Sequence, residues 1–233
     1  MSLNDDFNKE IKKIFNDQWS TRKGQVVPDP SDLQLGNDAI EFERATVLYA
    51  DLSSSTALVD AKIWWFAAEI YKTFLHCAAK IIRDQGGTIT SYDGDRIMAI
   101  FLGDSQTTAA ALCGLKINYA VQFIINPALH AKYPDAGYVV RQVVGIDTSE
   151  IRAARTGVRG DNDIVWVGRA SNYAAKLTEL DLTPRTWLTE DAYNVLHISS
   201  RDYGNPPTNM WEKYTWYAHG NRTIYGSTWW WKV

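Results

Sequence analysis

The chain has 233 residues and a mass of 26.3 kDa, enough for one large domain with appendages and cramped for two full ones. Hydrophobic residues at 45% and charged residues at 22% are ordinary globular usage, which excludes a disordered, collagen-like or purely repetitive chain. A formal charge of −3, with no block of like charges, excludes a general binder of nucleic acid or of anionic membranes.

From the N-terminus, Phe7, Ile11, Ile14 and Phe15 recur at helical spacing, and Val27-Pro28-Asp29-Pro30 then interrupts, so residues 1–38 are expected to form a helix and a loop ahead of one domain over 39–233. The run Ala45 to Leu52 is β-rich and mostly apolar, as a central strand buried on both faces is, and it ends on an acid, Asp51. Ser53, Ser54, Ser55 and Thr56 offer N-cap chemistry to a long amphipathic helix, Trp65 to Arg83, stopped by Gly86-Gly87.

Thr88 to Tyr92 and Arg96 to Leu102 read as a hairpin joined through Asp93-Gly94, with Asp95 at its tip. Ser105 to Asn126 is helical and is expected to close at Pro127 and Pro134. Tyr138 to Ile146 and Asp163 to Val167 are strands, and Gly168 opens a helix, Arg169 to Leu180, carrying Asn172 and Lys176. Thr186 to Leu188, a short helix from Glu190 and a tryptophan-rich hairpin within about 201–233 complete the chain. The order predicts an α/β (α+β) sandwich with one central sheet.

Only Cys77 and Cys113 are present, in no metal-binding spacing, so neither a disulfide framework nor a structural zinc site is expected, and a reducing cytoplasm fits. The N-terminus lacks an apolar signal core, and no run approaches the roughly 18 apolar residues of a membrane span. Ten tryptophans, three of them at 229–231, are read chiefly as packing surface.

Asp51 at a strand end and Asp95 on a hairpin tip are expected to meet at one sheet edge. Two carboxylates there suit hard divalent cations, Mg²⁺ or Mn²⁺, beneath a phosphate chain, whose oxygens would face the amides of residues 53–56. Asn172 and Lys176 share one helix face by their i, i+4 spacing. The four histidines are scattered singly, and Ser53 to Ser55 lack a partnered base, so zinc hydrolase and triad chemistry have no support.

ATVLYADLSSST, GGTITSYDGDRIMAIF and VGRASNYAAKL together resemble the class III nucleotidyl cyclases over about residues 42–190. The resemblance implies a ferredoxin-like sandwich working as a head-to-tail homodimer, with two divalent cations held by Asp51, Asp95 and the carbonyl of Leu52. The other subunit would supply Asn172, Lys176 and the base pocket. Lys176 stands where the family usually has arginine. Ser91 and Val165 stand where purine-using members carry a lysine and an acid-type acceptor, and an apolar Val165 cannot accept from an adenine amino group.

With Tyr49 and Trp166 adding bulk, the pattern is similar to the bacterial pyrimidine cyclases of the Pycsar antiphage defence system. That family implies UTP converted to cyclic UMP, or CTP to cyclic CMP, as a second messenger for a downstream effector. UTP is favoured, with Arg96 or Tyr49 as a donor to uracil carbonyls. Strand alternation leaves open whether Arg96 faces the base or points away. Adenylate or guanylate cyclase activity, and a non-catalytic nucleotide-binding dimerisation module, are the alternatives.

Overall fold

A computed structural model describes residues 2–180 and 183–233. Helix α1 (Leu3–Asn16) starts in a capping box, the Ser2 hydroxyl accepting from the Asp5 amide and the Asp5 carboxylate from the Ser2 amide. Strand β1 (Ser20–Lys23) then runs parallel to the start of β2 (Asp38–Leu52). β2 begins well before the apolar run at Ala45. Its first residues alternate charged and apolar side chains, yet β1 and β5 pair with them on either side. A bulge between Phe42 and Ala45 keeps Ile40, Phe42, Ala45 and Val47 in one apolar cluster.

Next come α2 (Ser55–Ala61), α3 (Trp64–Asp84), β3 (Thr88–Asp93), β4 (Arg96–Phe101) and α4 (Gln106–Ala120). A π-helical turn, Val121–Ile125, leads into α5 (Asn126–Lys132), followed by β5 (Gln142–Val158), β6 (Asp161–Gly168) and α6 (Arg169–Leu177). The chain ends with β7 (Thr186–Thr189), α7 (Glu190–Asn194), α8 (Ile198–Arg201), the small pair β8 (Asp202–Tyr203) and β9 (Thr208–Asn209), then β10 (Glu212–Trp216) and β11 (Arg222–Ser227).

The large sheet runs β10-β11-β7-β5-β2-β4-β3, with β1 added to β2 and β6 to β5. Within it, β2-α3-β3-β4-α4-β5 is a βαββαβ unit whose four strands lie side by side in the order fourth, first, third, second, the ferredoxin-like arrangement expected. Helices α3 and α4 bury one face: Leu48, Ala50 and Leu52 of β2 pack in one cluster with Phe74, Ile82, Leu115 and Ile117. Helix α6 covers part of the opposite face, Ala170 and Ala174 packing with Val47 and Ile151.

Two expectations change. Pro127 does not end the helical region. It falls in the first turn of α5, where no amide donor is needed, and the π-helical turn joins α4 to α5. The resulting helix, Gln106–Lys132, is long and apolar enough to cross a membrane, yet it is a core helix, with Ala110, Ala111, Cys113, Leu115 and Ile117 wholly buried. The strand expected over Tyr138 to Ile146 begins instead at Gln142 and runs to Val158.

Gly145 on β5 sets the height of α6 above the sheet. A Cβ there would lie 2.1 Å from the Ala174 carbonyl oxygen and 2.7 Å from Leu177 Cβ. Because the nearest obstacle is helix backbone, Gly145→Ala is expected to lift α6 and to cost about 2 kcal/mol or more in chemical denaturation. An unchanged unfolding midpoint would show that the helix has room to spare.

Candidate active site

The β2–β4 register sets Ala50 opposite Ile97 and Tyr49 opposite Met98, so the next pair along the strands is Asp51 opposite Arg96. Facing residues of an antiparallel pair project to the same side, and the side chains meet: Arg96 Nε and Nη2 donate to Asp51 Oδ2 at 2.9 and 2.7 Å. Arg96 also lies over the Tyr49 ring, 5.9 Å from its centroid. Strand alternation therefore turns Arg96 toward the acid. Asp95 escapes that alternation because it sits in the two-residue loop with Gly94, whose φ of +60° suits the first loop position of a type II′ hairpin.

Burial pushes the Asp51 carboxyl above the usual carboxylate range, and the Asp95 charge adds to this, against the hydrogen bond and charge of Arg96. The two acids are thus within electrostatic reach of one another. Asp95 Oδ2 is buried with no hydrogen-bond partner among the described residues. A buried carboxylate oxygen without a partner is costly unless something cationic meets it. Asp51, Asp95 and the backbone of Leu52 therefore form an oxygen donor set that fits a hard divalent cation. The Leu52 side chain is core, leaving only its main chain for such a role.

Ser91 lies opposite Met98, on the sheet face shared by Tyr49, Asp51 and Arg96. Burial raises the Tyr49 hydroxyl pKa, so the group stays a neutral donor at ordinary pH. Residues 53–56 do not cap the long helix α3, which starts at Trp64 behind Ile63. The Ser53 amide is taken by the Arg141 carbonyl at 2.9 Å, and Ser54 adopts a left-handed conformation (φ +60°) with no side-chain cap. Ser55 is part-buried and Thr56 is exposed. The chain instead bends at Ser54 into the short α2, whose first residues are Ser55 and Thr56.

Tyr71 of α3 is a site residue that sequence reasoning missed. Burial raises its hydroxyl pKa, as do the charges of Asp95 and Asp51. Its position in the helix gives no sign of this, since the approach to Asp95 is wholly tertiary.

Asn172 and Lys176 are both exposed on α6, while Ala170, Ser171, Ala174 and Leu177 face the sheet. They therefore point away from the body that carries Asp51 and Asp95. The N-terminus of α6 is fixed by Arg169, which reaches the fully buried Asp147 at 3.1 Å, the Thr148 carbonyl at 2.7 Å and Asp191. On β6 the alternation is strict. Val165 is 42% exposed, whereas Trp166 turns the other way and packs on Phe42 with ring centroids 6.0 Å apart. The two neighbours cannot line one wall, and Trp166 adds its bulk to the chain's own core.

No family model matches the chain. It is 52% identical over 234 aligned positions to a uridylate cyclase of Burkholderia cepacia and 48% identical over 234 to one of Xanthomonas perforans, with 100% of each chain covered in both cases. The crystal structure of the adenylyl cyclase CyaB from P. aeruginosa superposes with a TM-score of 0.66 at 19% identity, covering 82% of this chain and 95% of that one. Full-length identity at this level, on a matching fold, shows that the chain belongs to the uridylate cyclase family.

Proposed function

We propose that the chain converts UTP to 3′,5′-cyclic UMP and pyrophosphate as a homodimer whose active sites lie between subunits. The observation that carries this reading is the convergence of Asp51, Arg96 and Asp95 at one sheet edge while Asn172 and Lys176 point away from it. One chain thus holds two halves of a site that it cannot close on itself, and a second copy laid head to tail supplies what is missing.

Asp51, Asp95 and the Leu52 carbonyl would hold two divalent cations, Mg²⁺ or Mn²⁺, which when bound favour the alkoxide form of the ribose 3′ hydroxyl and neutralise the triphosphate. Asn172 of the second copy orients the ribose by hydrogen bonding, and Lys176 meets charge growing on the α-phosphate. Arg96, held over the Tyr49 ring, offers guanidinium donors to a uracil carbonyl, and Ser91 shares that face.

Val165 gives the pocket no acceptor for a purine amino group, and leaving that group unpaired costs about 1–3 kcal/mol, a factor of roughly ten to a hundred. The likeness to curated uridylate cyclases supports the same choice of base. The resemblance to Pycsar cyclases supports reading the product as a cytoplasmic second messenger of antiphage defence for a cyclic-nucleotide effector.

The test is to incubate the protein with ATP, GTP, CTP and UTP in separate reactions with Mn²⁺ and to separate the products. Cyclic UMP is expected to exceed each other cyclic nucleotide by about tenfold or more. Cyclic CMP as the main product would transfer the assignment to CTP. A purine product alone would overturn it, and no cyclic product from any of the four would favour a binding module.

A further inference from the structure

Of the ten tryptophans, Trp187, Trp211 and Trp216 are buried, but the terminal run is not packed away. After β11, residues 228–233 form an irregular strap across α4. Its backbone is pinned tightly: Asn118, itself 1% exposed, donates to the carbonyls of Thr228 and Trp229, the Trp229 amide bonds Ser227 Oγ, and the Trp231 amide bonds the Leu115 carbonyl. Trp230 turns outward onto Tyr119 and Phe123, with centroids 5.4 and 4.9 Å away. The strap also borders an open cavity of about 520 Å³, lined by Tyr203, Thr228, Trp229, Trp230, Trp231 and Lys232.

That volume lies within the range of small-ligand sites. Tyr203 stands 5.7 Å from Trp229 and 5.6 Å from Trp231, the latter edge-on, so ring faces border the space instead of filling it. Tyr203 is 54% exposed, which for a large ring in a pinned aromatic cluster leaves a face without an occupant. None of the three terminal indole N–H groups has a hydrogen-bond partner among the described residues, and Lys232 forms no ion pair among them. Flat apolar walls with indole donors and an ammonium group suit a flat ring bearing negative charge. A cationic guest would be repelled by Lys232.

We propose that the tryptophan strap forms a second small-molecule site, separate from the active site, that takes a planar aromatic anion. Because the backbone is already fixed by Asn118 and Ser227, little ordering opposes binding. The site is independent of which nucleotide the enzyme cyclises.

The experiment is calorimetric titration of the intact protein with 2-naphthalenesulfonate, the neutral naphthalene-2-methanol and the non-aromatic cyclohexanesulfonate. The first is expected to bind saturably, one per chain, and about tenfold tighter than either of the others, because it alone combines stacking with a charge-assisted contact. Tyr203→Ala should weaken it about tenfold, and Lys232→Ala should erase the preference for the anion over the alcohol. Both residues are exposed, so neither change threatens the fold. Absence of saturation, equal binding by Tyr203→Ala, or no preference for the anion would overturn the proposal. So would weakening by Arg96→Ala in place of Tyr203→Ala, which would move the probe into the active site.

Discussion

Asp51→Asn and Asp95→Asn are each expected to lower turnover by about a thousandfold while the protein stays folded, as judged by initial rates and thermal unfolding of the same samples. Each change keeps the side-chain volume and removes the negative charge. At Asp51 the cost to the fold is small: the ion pair with Arg96 is part-exposed, with side-chain exposures of 16% and 31%, so its loss costs about 1 kcal/mol at most. The core beneath is built from Ala50 and Leu52, which face the other way and are untouched.

Asp95→Asn replaces a carboxylate oxygen that nothing among the described residues satisfies, so stability is expected to hold or to rise slightly, while the site loses half of its anionic donors. The opposite signs are informative. A residue kept only to cap a hairpin would lose stability and retain activity. Either variant turning over at the normal rate would remove the two-carboxylate site altogether.

The second large effect is a gain. Asp51→Ala and Asn172→Ala should each be inactive alone, yet equal mixing with subunit exchange should restore about a quarter of the normal activity. Half of the dimers are then mixed, and each mixed dimer has one site carrying both lesions and one carrying neither. The expectation follows from α6, whose sheet-facing side is Ala170, Ala174 and Leu177, leaving Asn172 and Lys176 with no route to the Asp51 of the same chain. Restored activity would require a site shared between subunits. If exchange is confirmed by labelled subunits and activity stays at the level of the separate variants, the residues act within one chain and the head-to-tail arrangement fails.

Much of this was legible in the residues. Apolar runs bounded by turn signals place β2, α3, the β3–β4 hairpin and α6, since each is a local pattern of period two or near four with its own stop. The pairing of Asp51 with Asp95 could be anticipated from a strand end and a hairpin tip. Local pattern fails where a neighbour outweighs it. The strand reads as starting only at Ala45 because the partners of the first residues of β2, in β1 and β5, are supplied from elsewhere, and Pro127 reads as a terminus because a π-helical turn leaves no composition signal.

The amino-acid sequence by itself determined the order of elements, because that follows from short-range spacing, and its motifs carried the resemblance that implies the family, the acids at 51 and 95 and the helix of Asn172 and Lys176. Only the tertiary structure decided direction. Register set Arg96 against Asp51, and alternation on β6 sent Trp166 into the core while Val165 stayed at the surface. The chain bend at Ser54 withdrew the expected cap, and α3 brought Tyr71 within reach of both acids. The reason is geometric: a side chain's chemistry is fixed by its type, but the side of a sheet it meets depends on pairing between distant segments, where one residue of slip reverses every face.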